Sequence, residues 1–145
     1  MGASRQIVEQ LYAAVATHDS RALSELCAPT CEMIEPGVHL NGGDQIGAYM
    51  QTFFTAFPDL RIEVQSMLEI DNAVATEVRF IGTHTGPLAG LGGELPPTGR
   101  GVDLSGADFL TVSNGKLTSW HVYYDTGTFM SQLGLSPESS EAAPA

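Results

Sequence analysis

Asp108 and His121 are the residues whose types and spacing could do chemistry together. They lie in the stretch from Val102 to Tyr124, which reads as two strands folded back across Asn114-Gly115. Asn-Gly between two alternating apolar runs is a strong hairpin signal, because both central residues of a type I′ turn need positive φ. With that turn, Ser113 faces Lys116, Val112 faces Leu117, Leu110 faces Ser119 and Asp108 faces His121. The register predicts a carboxylate and an imidazole opposite each other on one sheet face, their Cβ atoms roughly 5 Å apart. Leu104, Leu110, Val112 and Leu117 share that face. An acid and an imidazole among leucines form either a proton-transferring pair in a pocket or a cross-strand ion pair on a solvated edge. The ion pair would contribute at most about 1 kcal/mol.

Other side chains could join such a site. His84 ends a strand beside a glycine-rich stretch and either faces a cavity mouth or simply ends the strand. Glu35, before Pro36, is a second cavity carboxylate or a solvated strand end. Tyr12 and Tyr49 could each offer a phenol to a substrate carbonyl, or be core residues with satisfied hydroxyls. Phe53 is a candidate pocket wall. Tyr123 shares the His121 face, and Asp125 either caps the last helix or serves the site. Glu77 and Arg79 read as a solvated or interfacial pair.

The elements that must position these residues are legible from periodicity. Ser4 to Thr17 reads as a helix, with Ile7, Leu11, Ala14 and Val15 at helical spacing and Ser4 as its N-cap. Asp19 or Ser20 caps a second helix through Leu26. Cys31 to Glu35 reads as a short strand stopped by Pro36-Gly37. Gly42-Gly43-Asp44 opens a third helix that runs to about Phe57, largely buried through Ile46, Tyr49, Met50, Phe53, Phe54 and Phe57. After Pro58 the period changes to two, giving a strand to Ile70, a turn at Asp71-Asn72 and a return strand to about His84. Thr85 to Arg100 is rich in Gly and Pro and too long for a simple hairpin loop, so it reads as functional or mobile. A short helix closes at Gln132-Leu133-Gly134, and residues 136–145 read as a disordered tail. The expected fold is α+β: a strongly curved antiparallel or mixed sheet with helices on its concave side, a cone with a central cavity, formed by a single domain over residues 1–135.

Composition narrows the function. A chain of 145 residues can bury about 70 % of the surface it exposes unfolded, enough for a core and a pocket. A formal net charge of −11, with six scattered basic residues, argues against nucleic acid or an anionic membrane as partner. No apolar run is long enough to span a bilayer, and the N-terminus lacks a signal-peptide core, so the expected location is cytoplasmic. Cys27 and Cys31 read as small thiols in a reducing compartment. The four histidines are scattered without metal-ligand spacing, so no metal is expected.

The segments Phe80-Ile81-Gly82-Thr83-His84-Thr85-Gly86, Pro96-Pro97-Thr98-Gly99-Arg100, Asp108-Phe109, Asn114-Gly115-Lys116-Leu117, Trp120, Tyr124-Asp125 and Gln132-Leu133-Gly134 occur in this order. Together they resemble the SnoaL-like polyketide cyclases, members of the nuclear transport factor 2-like α+β cone superfamily. The resemblance covers the chain to about Leu135. It implies a pocket whose polar groups come from the concave face of the last hairpin. In those cyclases an Asp–His arrangement handles the proton of an intramolecular aldol closure, and the matching positions here are Asp108 and His121. The position after the tryptophan, often acidic in relatives, is His121, so acid and imidazole trade strands. The superfamily also holds cofactor-free hydroxylases, isomerases and binding modules, so fold does not choose the reaction.

An aldol closure needs a proton removed beside a carbonyl, an oxyanion stabilised and a proton delivered to the new alkoxide. An acid–base pair in a dry pocket can do this with no cofactor. The implied partner is a hydrophobic or aromatic small molecule. On the opposite hairpin face the same register places Phe109, Trp120, Val122 and Tyr124, with Phe109 opposite Trp120. Such a stripe needs covering, and the expected cover is a second copy in a homodimer packed sheet against sheet, the alternative being the long Gly/Pro loop.

Overall fold

The computed structural model describes residues 2–90 and 93–135. The expected tail and part of the Gly/Pro stretch, Gly92 included, lie outside the described residues. Helices α1 (Ala3–Ala16), α2 (Ser20–Leu26) and α3 (Gly43–Ala56) pack against a sheet built from β1 (Cys27–Glu35), β2 (Val38–Asn41), β3 (Arg61–Ile70), β4 (Ala73–Thr83), β7 (Gly101–Ser113) and β8 (Lys116–Tyr124). The short hairpin β5 (Leu88–Gly90) and β6 (Gly93–Leu95) stands apart, and α4 (Thr126–Gln132) follows β8.

The six strands run in the order β2-β1-β8-β7-β4-β3. All neighbours are antiparallel except β1 and β8, which are parallel, so the sheet is mixed. The parallel β1–β8 pair, the added edge strand β2 and the β5–β6 hairpin go beyond the five-strand reading of the sequence. Bulges interrupt β1, β3 and β8, and a bulge bends its strand and raises local twist. The curvature gives the helices a concave face to fill. Val8, Leu11, Val15, Leu23, Ile46 and Phe57, all fully buried, meet Met33, Val74, Leu110 and Leu117 from the sheet. Two glycines let α3 approach α2: a Cβ on Gly43 would lie 2.3 Å from the Ser24 carbonyl oxygen, and one on Gly47 2.9 Å from that of Ser20.

Local chemistry explains the helix boundaries. Asp19 caps α2 by accepting from the Ala22 N–H at 3.0 Å. Gly2, rather than Ser4, is the N-cap of α1. Ser4 lies inside the first turn and donates its hydroxyl to the Asp71 carbonyl, while Glu69 accepts from the Gly2 and Arg5 N–H groups. A carboxylate from a neighbouring strand thus does the capping that a local hydroxyl would otherwise do. Cys27 and Cys31 are buried free thiols. Arg79 pairs with Glu63 and Asp103, not with Glu77, whose carboxylate instead accepts from Ser66.

The Asn114-Gly115 turn has both residues at positive φ, 53° and 75°, and Ser113 pairs with Lys116 and Val112 with Leu117 as expected. The next step departs from expectation. Thr111 pairs with Ser119, leaving Thr118 as an extra residue in β8. The Thr111 hydroxyl contacts those of Thr118 at 2.7 Å and Ser119 at 2.6 Å, two residues against one. Beyond this bulge Leu110 pairs with Trp120, Phe109 with His121, and Asp108 with Val122. A straight hairpin would turn Ser119, His121 and Tyr123 into the concavity. The bulge turns in Trp120, Val122 and Tyr124 instead. Burying a tryptophan and a valine in place of a serine and a histidine is worth several kcal/mol, at about 25 cal/mol per Å² of apolar surface.

Candidate active site

The cone holds a partly open cavity of about 100 Å³ whose lining includes Met33, Met50, Phe53, Ile62, Phe80 and Phe129, with Tyr12, Glu35, Ser105, Asp108, Trp120 and Tyr124 as its polar side chains. Its volume is on the scale of an engineered cavity that holds benzene, about 150 Å³. Phe80 packs edge-on against Phe53 at 6.1 Å and Phe129 at 6.4 Å, and Phe129 packs edge-on against Tyr124 at 6.1 Å. These aromatic rings give the carboxylates a dry surround.

Asp108 is delivered by β7 and is 4 % exposed. Tyr12, reaching from α1, donates to its Oδ2 at 2.6 Å, and the same hydroxyl contacts Thr76 Oγ1 at 2.7 Å. Burial pushes the Asp108 pKa up to about 6, opposed by Tyr12 and, in smaller measure, by Trp120. Burial and the Asp108 charge push the Tyr12 phenol well above its ordinary value, so it stays protonated and remains a donor.

A second pair stands on another wall. Glu35 ends β1 and is 9 % exposed. Tyr49 of α3 donates to it through a short hydrogen bond. Burial raises the Glu35 pKa and the Asp108 charge raises it further, while the Tyr49 hydrogen bond opposes the rise. Burial also pushes Tyr124 up to about 12, with the Glu35 charge adding to it. Two desolvated carboxyls, each held by a tyrosine, therefore share one apolar chamber.

Trp120 completes the chamber. It is 4 % exposed, and its indole N–H meets no acceptor at hydrogen-bonding distance and angle. Short of that geometry, the acceptor within its reach is the Asp108 carboxylate, whose ionised form the indole favours as a weak donor.

Asp108, Glu35, Tyr12 and Phe53 thus line the chamber, and Tyr49 supports it from behind Glu35. The remaining candidates lie elsewhere. His121 does not face Asp108: the bulge sends it to the convex face, where it pairs with Phe109 and with Ile34. Tyr123 shares that face and is 53 % exposed. His84 is fully buried outside the chamber, stacked on Phe57 at 5.3 Å. Its Nδ1 accepts from the Thr98 N–H at 3.1 Å, its backbone N–H donates to the Arg100 carbonyl, and its carbonyl accepts from Gly99. His84 therefore anchors the strap from Thr85 to Arg100, and burial lowers its pKa. Asp125 caps α4, accepting from the Gly127 N–H at 3.1 Å and the Thr128 hydroxyl at 2.6 Å.

Trp120 and Tyr124, expected on the opposite face, are the chamber residues that sequence reasoning misplaced. The signal was present: Leu117 and Trp120 are three apart, so both cannot lie on one face of an unbroken strand. Among the described residues no three His, Cys, Asp or Glu side chains converge as a metal-binding set, and no helix is long and apolar enough to cross a membrane.

Comparison with known proteins agrees with this architecture. The model of the SnoaL-like polyketide cyclases matches residues 5–133. A crystal structure from Jannaschia sp. CCS1, ascribed to the SnoaL-like polyketide cyclases, superposes with a TM-score of 0.80 at 22 % identity, covering 93 % of this chain and 94 % of that one. IdmH of Streptomyces antibioticus, ascribed to the polyketide cyclases, gives a TM-score of 0.73 at 27 % identity over 90 % of this chain and 98 % of its own. AclR of Streptomyces galilaeus, ascribed to the hydroxylases, gives 0.77 at 22 % identity over 92 % and 97 %. A search of curated proteins found no match. With the cone, its chamber and a family model spanning residues 5–133, the chain belongs to the SnoaL-like polyketide cyclase family.

Proposed function

We propose that the protein is a cofactor-independent enzyme that closes a ring in a polyketide-like ketone by intramolecular aldol-type proton transfer, with Asp108 as the base. The observation that carries this reading is a desolvated carboxylate, pinned by Tyr12 and Thr76, inside an apolar chamber. Burial brings the Asp108 pKa to about 6, where it is ionised at neutral pH yet basic enough to accept a proton from carbon beside a carbonyl. Tyr12 holds the carboxylate in place and does not titrate.

Glu35 is the acid of the pair. Burial, and after it the Asp108 charge, raise its proton affinity, and it lines the same chamber as the base. Asp108 takes the α-proton, the enolate carbon attacks the second carbonyl of the same chain, and Glu35 protonates the alkoxide. Solvent then returns the proton from Asp108 to Glu35. Isomerisation or cofactor-free hydroxylation would begin with the same abstraction, so only products separate them from ring closure. A non-catalytic binding module would show no abstraction.

The test is deuterium incorporation at the α-carbon of 1-tetralone in D2O, followed by product analysis with diketones able to close a six-membered ring. The wild type accelerates exchange, and Asp108→Asn loses about 10²–10⁴ of that acceleration while staying folded. Exchange that survives in Asp108→Asn contradicts the reading.

The convex face supports a second proposal, a homodimer packed sheet against sheet. Leu68, Ala75, Phe109, His121 and Ile34 form one row across the sheet, and Leu68 and Phe109 are 69 % and 54 % exposed. Contiguous apolar surface of this kind marks interaction sites. Light scattering at micromolar concentration should give twice the chain mass, and a monomer would refute the dimer.

A further inference from the structure

Among the described residues, two buried side-chain nitrogens lack a hydrogen-bond partner, Trp120 Nε1 and His84 Nε2. Only Trp120 lines the chamber. Indole can donate and cannot accept, and a buried unpaired donor costs about 1–3 kcal/mol. An orphaned donor in a pocket is accounted for when a ligand atom supplies the missing acceptor.

The neighbours define that ligand. Leu110 pairs with Trp120 and Asp108 with Val122, so Trp120 and Asp108 are diagonal neighbours on one sheet face. Diagonal neighbours lie about 7–8 Å apart at their backbones, within reach of an aromatic side chain. Val122, directly opposite Asp108, offers no polar atom. The Tyr12 and Tyr49 hydroxyls are already committed to Asp108 and Glu35, and Tyr124, the other diagonal neighbour of Asp108, carries its hydroxyl close enough to Glu35 to feel that charge.

We propose that the Trp120 indole N–H is the oxygen-binding group of the chamber, receiving the carbonyl oxygen of a ketone whose α-carbon faces Asp108. This assignment rests on the proton-transfer reading above and specifies the substrate: a carbonyl flanked by an acidic C–H, with no hydrocarbon surrogate. The C–H bond breaks, its proton goes to the Asp108 carboxylate, and its electron pair delocalises onto the oxygen. The indole keeps its proton and donates a hydrogen bond that strengthens as negative charge develops there. Loss of charge on Asp108 and gain of charge on the oxygen occur in the same step, so the donor favours the product side of the abstraction.

Phenol and toluene test this, being a ring with and without oxygen at the scale of the chamber. A phenol beside an ionised Asp108 carries the same protons as an enolate beside a protonated one. The chain has a single tryptophan, so a ¹⁵N-labelled sample gives one indole signal. Phenol should move that signal downfield and toluene should not. Trp120→Phe reshapes the wall for both ligands and should weaken phenol about tenfold relative to toluene, as expected for one lost hydrogen bond. The assignment is overturned if phenol fails to bind, if it binds without moving the indole signal beyond the toluene control, or if Trp120→Phe binds phenol like the wild type. The indole measurement on the unmodified chain stands even if the variant misfolds. Phenol that shifts the indole while Asp108→Asn keeps full α-proton exchange refutes the base assignment and leaves the oxygen site intact.

Discussion

The two faces of the β7–β8 hairpin carry the same kinds of residue and do opposite jobs. The concave face holds Asp108, Trp120 and Tyr124 in an apolar chamber. The convex face holds Phe109, His121 and Tyr123, with Phe109 and Tyr123 more than half exposed and packed edge to face at 5.8 Å. Each face has aromatics and one carboxylate or imidazole. What separates them is desolvation: burial pushes the Asp108 pKa up to about 6 within its chamber, whereas His121 lies on the outer surface. One extra residue, Thr118, decides which group receives which environment.

Inserting one residue between Ser119 and Trp120 should therefore have the largest effect. It slips the register beyond the bulge by one and turns Trp120, Val122 and Tyr124 out of the chamber. The loss should exceed about 4 kcal/mol, enough to unfold a marginal domain, with tryptophan emission shifted to the red. An insertion variant with wild-type stability would show that the register beyond Thr118 does not hold the two faces apart.

Next, Asp108→Asn should lose about 10²–10⁴ of α-proton exchange, whereas His121→Ala should stay within about twofold. Equal losses would erase the distinction between the faces.

Stability should move the other way. The folded Asp108 pKa lies above its unfolded value, so the native state binds more protons than the unfolded state between about 3.8 and 6. Its contribution is lost as pH rises through that window and is fully present below it. Asp108→Asn should thus raise stability at pH 7.5 by as much as about 3 kcal/mol, a gain that disappears below pH 4. Denaturant melts at both pH values check this, and an equal change at both would contradict it.

Phe109→Lys probes the convex face alone. It should halve the mass seen by light scattering and leave exchange at its wild-type rate. Smallest of all, Asp125→Ala should cost about 1 kcal/mol through the lost α4 cap without altering exchange. A large loss of exchange would return Asp125 to the site.

Much of this was legible before the fold was seen. Caps, turns and periodicity located α1 to α4 and the β3–β4 and β7–β8 hairpins, because each is a local preference of a few residues. Alternation places Asp108 among apolar residues, and in the structure it is a buried residue of the chamber lining. His121 was misplaced because register was counted outward from Asn114-Gly115 as though alternation were unbroken. Alternation is local, but the bulge at Thr118 follows from which side chains the concavity buries, and β1 also lies alongside β8 there. Glu35 acquires its environment from Tyr49 and from Asp108, partners distant in the chain, and no local pattern announces them. His84 owes its role to Thr98, Gly99 and Arg100 at the far end of the strap.

The most direct measurement is the pH profile of α-proton exchange, taken on the wild type and on His121→Ala. An ionised Asp108 acting alone predicts a rate that rises with pH through about 6 and a limb of the same midpoint in both proteins. A limb that vanishes or moves when His121 is replaced, or one centred near the ordinary carboxylate value of about 4, would contradict the account.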